Sequence, residues 1–122
     1  MSRILLLIGA GGFIGSILRY LVSSYFSKFS SFPLGTLMVN IIGCLVVGLL
    51  FGLSERHNWF SGQWQLFLLT GFCGGFTTFS AFAYENIKLL QEGNYLAFAG
   101  YTLASVALGL AAVFGGLLLA KI

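Results

Sequence analysis

Between positions 72 and 82 the chain reads FCGGFTTFSAF, with hydroxyls on Thr77, Thr78 and Ser80, a glycine pair at Gly74 and Gly75, and two phenylalanines three apart, Phe79 and Phe82. None of these side chains is a strong acid or base. What they offer is ion handling. Hydroxyls donate hydrogen bonds to an anion or to a main-chain carbonyl, a glycine-weakened helix frees carbonyl oxygens for a cation, and the positive edge of an aromatic ring faces negative charge. Lipid contact and packing are the ordinary work of phenylalanine, however, and most of the thirteen in this chain must do only that.

Other polar residues are spaced to join this group. Asn40 is the only carboxamide in the first two apolar stretches, and Thr36, four residues earlier, shares its helical face. Tyr101 and Ser105 repeat the four-residue step, with Thr102 beside them. Two readings of Asn40 stand together: donor of two N–H groups to an anion, or polar glue between helices. Glu85 and Lys88 have the spacing of a helix-surface pair near an interface. His57 has no second ligand at metal-binding spacing. With no catalytic triad and no carboxylate pair, the chain does not read as an enzyme.

The elements that must position these residues follow from composition. Of 122 residues, 58% are apolar and only 7% charged, and mean hydropathy is +0.98; soluble domains carry about 25% charged residues. The charge-free runs 29–54, 57–84 and 93–120 each exceed the roughly 20 residues that a spanning helix needs, and 4–18 nearly does. The expectation is an all-α membrane protein, a single domain over 1–122 with four transmembrane helices at about 4–26, 33–53, 63–91 and 94–120. Pro33 suits a helix start, and the connections at 27–32, 54–62 and 92–93 leave no room for a soluble domain. Arg3 before an apolar core also fits a signal peptide, but Arg19 and Tyr20 stand where small cleavage residues belong, so the segment is retained.

Small residues four apart at Gly11 and Gly15, Gly48 and Gly52, Gly71 and Gly75, and Ser105 and Gly109 allow close helix packing. GAGGFIG at 9–15 misplaces the third glycine of a dinucleotide fingerprint and lacks the strand-helix-strand setting. Cys44 and Cys73 both fall in predicted spans and build no disulfide framework. The six basic residues are scattered singly, which excludes a nucleic-acid footprint.

The GGFTT stretch lies near the middle of the third span, so a break there falls near the bilayer midplane. In hydrocarbon an unsatisfied backbone group costs several kcal/mol, so unwound chain survives only when buried in protein or lining an ion or water cavity. The break is therefore either an ion site or a glycine kink whose backbone the threonines satisfy. Charge adds a second expectation. With the amino terminus inside, Arg3, Arg56 and Lys121 oppose Arg19, Lys28 and Lys88, three against three. Such a tie removes the usual topological bias, and a small chain that inserts both ways can form antiparallel dimers.

In combination these motifs resemble the Fluc, or CrcB-type, fluoride channels. GGFTTFSAF is the specific element; GxxGxxxRY at 12–20, GTLMVNIIGC at 35–44, the Tyr101 to Ser105 step, the length and the four spans are similar too. The resemblance implies a passive fluoride-exporting channel of the bacterial inner membrane, built as a dual-topology antiparallel homodimer with two pores. It implies a central structural sodium ion held by main-chain oxygens of Gly74 and Thr77 from each subunit. Phe79 and Phe82 match the phenylalanines whose edges approach fluoride, and Asn40 matches the pore asparagine. Ser80, Thr36, Tyr101 and Ser105 match a polar track, Arg19 an arginine near the pore mouth, and Glu85 a frequent acid. The sequence departs from the pattern at Ala81, where threonine is common, so one hydroxyl is missing.

Such a pore must replace the hydration of a small anion with donors weak enough to release it. A proton-coupled exporter of similar size needs a titratable carboxylate deep in the membrane, which the first, second and fourth spans lack. A structural subunit, whose glycines and polar residues only join helices, is the rival of a different class and predicts no ion flux.

Overall fold

The computed structural model describes residues 1–29, 32–57 and 62–121. Helix α1 covers Ser2–Ser27 and α2 covers Leu34–Arg56. The third span, Gln63–Gln91, is two helices: α3 (63–76) and α4, Phe79–Gln91. Helix α5 covers Tyr95–Ala120. All four spans are long and apolar enough to cross a membrane. Parts of the connections expected at 27–32 and 54–62 lie outside the described residues.

Five of the eight expected helix ends shift by one to three residues, and two of these shifts have a physical cause. Pro33 is the residue that precedes α2 rather than its first turn. Helix α2 also runs on to Arg56, whose Nη1 donates to the Ala120 carbonyl at 3.0 Å; this cation at two helix C-termini complements both dipoles. Between α4 and α5 the chain turns at Gly93, φ 75°, where Asn94 N–H reaches back to the Leu89 carbonyl at 2.9 Å. That left-handed conformation is the one glycine adopts without penalty.

Most large apolar side chains point outward: Phe13, Leu96, Leu103 and Leu110 are all largely exposed. In water this would be an aggregation surface; in a bilayer it is the lipid-facing or partner-facing wall. Hydrophobic burial therefore contributes little between these helices, and close backbone packing takes its place. Helix α1 meets α3 at Gly11, Gly12, Gly71 and Gly75, where a Cβ on Gly71 would lie 2.7 Å from the Ile8 carbonyl oxygen and one on Gly75 2.7 Å from that of Gly12. Helix α2 meets α5 in the same way at Gly48 and Gly116. A small apolar core of Leu37, Leu89 and Tyr101, flanked by Phe32, Ile41 and Phe82, ties α2, α4 and α5 together.

Within α3, residues Leu66–Cys73 form a π-helical segment. It ends one residue before the glycine pair and feeds three α-helical residues, Gly74–Phe76. Segments of this kind are rare and cluster at functional sites.

Candidate functional site

The third span is interrupted at Thr77 and Thr78, both extended, with φ/ψ of −84°/158° and −151°/115°. The glycines are not the break, which corrects the expectation from GGFTT. Gly74 is helical, φ −62° and ψ −37°, and Gly75 keeps its small size for contact with Gly12. Extended backbone falls instead on two β-branched residues, which favour that conformation.

At membrane depth each main-chain group freed by the break needs a partner. Asn40 satisfies both polar groups of Thr78: its Oδ1 accepts from the Thr78 N–H at 2.9 Å, and its Nδ2 donates to the Thr78 carbonyl at 3.0 Å. Thr77 turns its hydroxyl back onto the Cys73 carbonyl at 2.9 Å. Thr78 Oγ1 caps α4 by accepting from Ala81 N–H at 3.1 Å, a standard use of threonine at a helix start, and lies 3.3 Å from the Ser80 hydroxyl. Arg19 reaches over from α1 and donates Nε–H to the Gly75 carbonyl at 3.0 Å. After this accounting the oxygens of Gly74, Phe76 and Thr77 carry no hydrogen bond among the described residues.

Two clefts flank the break. One, of about 400 Å³, is lined by Asn40, Thr77, Thr78, Phe79, Phe82 and Ser105 together with apolar residues of α2 and α5. The other, about 260 Å³, is more polar and holds Ser16, Arg19, Ser23, Thr36, Thr78 and Ala81. Thr78 borders both. Phe79 and Phe82 lie 5.8 Å apart, centroid to centroid, with rings inclined by 47°. Phe82 packs on Tyr101 at 5.0 Å, whereas Phe79 is 78% exposed and has its other face free for a neighbour outside this chain.

Of the residues singled out in the sequence, Asn40, Thr77, Phe79, Phe82 and Ser105 share the first cleft, and Arg19 and Thr36 the second. Ser80 and Gly74 are exposed. Tyr101 is fully buried, and its hydroxyl donates to Glu85 Oε1 at 2.8 Å while Thr36 donates to Oε2 at 2.8 Å. Glu85 is thus no surface partner of Lys88 but a junction of α2, α4 and α5, and the four-residue spacing alone pointed the wrong way. Its signal was positional: it is the one acid of α4, about two turns after the break. Thr102 makes a longer contact to Asn86 Oδ1, 3.4 Å.

The donor set suits an ion rather than a reaction. Among the described residues no cluster of His, Cys, Asp or Glu is arranged to hold a metal, and the free cysteines Cys44 and Cys73 form no pair. Neutral carbonyl oxygens such as those of Gly74 and Thr77 suit an alkali cation, and hydroxyls, an amide and ring edges suit a small anion.

Comparison with known proteins agrees with the family suggested by the motifs. The CrcB-like protein, Camphor Resistance (CrcB) family matches residues 6–117. The fluoride-specific ion channel FluC of Azobacteroides pseudotrichonymphae genomovar. CFP2 is 47% identical over 123 residues, covering 99% of this chain and 98% of that protein. FluC of Leptospira interrogans serogroup Icterohaemorrhagiae serovar copenhageni is 44% identical, covering 98% and 96%, and FluC of Pyrococcus abyssi is 43% identical over the same shares. With four membrane-spanning helices and end-to-end similarity of this order, the chain is a multi-pass inner-membrane protein and belongs to the CrcB family.

Proposed function

We propose that this protein is a passive, fluoride-selective channel that lets the ion leave the cell. The observation that carries the reading is the extended pair Thr77 and Thr78, held between two clefts whose walls include hydrogen-bond donors and, in the first, the rings of Phe79 and Phe82. Relatives named fluoride-specific ion channels, similar over nearly the whole chain, support the choice of ion. No chemistry of bond making is needed: members of this family are channels, not enzymes.

Transport then works by exchange of hydration for donors. An anion in the polar cleft faces the Arg19 guanidinium and the Ser23 hydroxyl. Past Thr78 it meets Ser105, the Asn40 amide and the edges of Phe79 and Phe82. Ring edges strip water without binding tightly, which favours release.

The working assembly in this reading is an antiparallel homodimer of chains inserted in both orientations, with two pores and lipid around it. The balance of three basic residues against three supports it, as does the outward-facing Phe79. A structural sodium ion at the dimer centre fits the oxygens of Gly74 and Thr77, which lack hydrogen bonds among the described residues. Two such oxygens from each chain would supply a neutral cage, and the ion's charge would favour anions nearby.

Efflux from liposomes holding only the purified protein tests the function. A fluoride electrode should record release well above that of protein-free vesicles. Release equal to empty vesicles, from protein that remains folded, rejects the channel and leaves a purely structural subunit.

A further inference from the structure

We infer that Asn40 is a positioning residue: its carboxamide acts as a surrogate peptide group that clamps Thr78, the single residue among those described that borders both clefts, and so fixes the wall an ion must pass. The inference rests on the channel reading for its consequence, but not for its geometry.

Both halves of the carboxamide are committed to one residue. Oδ1 accepts the Thr78 N–H at 2.9 Å and Nδ2 donates to the Thr78 carbonyl at 3.0 Å, the paired pattern that a neighbouring strand would provide to an extended residue. In an unbroken helix Thr78 N–H would bond to the Gly74 carbonyl, four residues back; Asn40 takes that donor away and leaves the Gly74 oxygen without it. One side chain on α2 thereby satisfies both main-chain polar groups of Thr78, which would otherwise be costly to leave unpaired in hydrocarbon. The amide keeps a single uncommitted N–H, so at most one of its donors is left to face an ion in the adjoining cleft.

The surroundings keep the clamp in register. Gly43, one turn after Asn40, lies against the Thr77 methyl group and Phe76 ring, with no room for a Cβ. Thr36, one turn before, is tied to Glu85 at 2.8 Å. Helix α2 is therefore pinned to both sides of the break, at Thr77 and at Glu85, with Asn40 between them. Thr78 in turn caps α4, so the direction of the helix that carries Phe79 and Phe82 starts from the clamped residue.

A direct anion ligand and a clamp make different demands. Replacing Thr78 with its α-hydroxy acid turns the Thr77–Thr78 amide into an ester, which removes the N–H that Asn40 accepts and leaves the Asn40 side chain intact. The full-length protein in liposomes should lose at least tenfold in fluoride efflux with this ester, as with Asn40→Ala. Amide hydrogen exchange on the same samples supplies a readout independent of transport. Thr78 N–H should be protected in the wild type and exchange at least a hundredfold faster in Asn40→Ala, while buried Val39 and Leu89 keep their protection. Asn40→Asp, which retains the acceptor but sets an oxygen against the Thr78 carbonyl, should lie between wild type and Asn40→Ala in both measurements, and it carries the test if the ester protein does not fold. Wild-type efflux from the ester protein, or unchanged Thr78 exchange in Asn40→Ala, overturns the clamp. A wild-type protein that moves no fluoride but shows protected Thr78 rejects the channel and keeps the clamp.

Discussion

Replacing Gly71 with alanine probes the packing that holds the broken span in place. A Cβ at this position would sit 2.7 Å from the Ile8 carbonyl oxygen, 3.1 Å from Gly11 Cα and 3.3 Å from Ile8 Cα. All three are backbone atoms of α1, so no side chain can swing aside. Restoring ordinary contact requires α1 to recede by roughly 0.7 Å, and overpacking of this kind costs about 1–3 kcal/mol. Alanine returns up to about 1 kcal/mol through its helix propensity. The net expectation is a loss on the order of 1–2 kcal/mol. The same movement draws Arg19, on α1, from the Gly75 carbonyl that it meets at 3.0 Å, so fluoride efflux should fall along with stability. The comparison set is Gly9→Ala, Gly100→Ala and Gly115→Ala, positions where a Cβ meets nothing within 4 Å. Reversible unfolding in mixed detergent micelles gives the difference. If Gly71→Ala is as stable as the average of those three, close contact of α1 with α3 is not what holds the span.

Phe79→Ile and Phe82→Ile should each reduce fluoride efflux to the level of empty vesicles while the protein keeps the wild-type oligomeric state in detergent; transport at the wild-type rate would remove the ring edges from the pathway. Tyr101→Phe removes one of the two hydroxyl donors to Glu85 and should destabilise the fold by about 1–3 kcal/mol, read in the same micelle assay; no loss would mean that the junction of α2, α4 and α5 does not depend on that bond. Ser27→Cys in a background without Cys44 and Cys73 should react with an impermeant thiol reagent from both sides of the membrane, and one-sided reaction would defeat insertion in two orientations.

Much of the architecture was legible because a bilayer makes severe demands. Twenty apolar residues in a row have few alternatives to a spanning helix, so 4–26, 33–53, 63–91 and 94–120 differ from the observed helices only by a few residues at their ends. That the third span is interrupted could be read from GGFTT, but which residues unwind could not. Glycine weakens a helix, and it also admits a neighbouring helix; here the neighbour decides, and Gly74 and Gly75 stay helical. The threonines unwind because Asn40, 38 positions away, provides a partner for Thr78, and a contact of that range leaves no local trace. Glu85 was misjudged for the same reason. Its spacing to Lys88 is visible in the chain, whereas Thr36 and Tyr101 reach it only through the packing of three helices. The π-helical run Leu66–Cys73 had no sequence signal at all, since LFLLTGFC carries neither proline nor charge.

The most direct test of the interrupted span is the ¹³Cα and ¹³Cβ chemical shift of Thr77 and Thr78 in full-length protein in lipid. Both residues should show extended-type secondary shifts, flanked by helical values at Phe76 and Ala81. Helical shifts running without interruption from Phe72 through Phe82 would contradict the break and the ion site built on it.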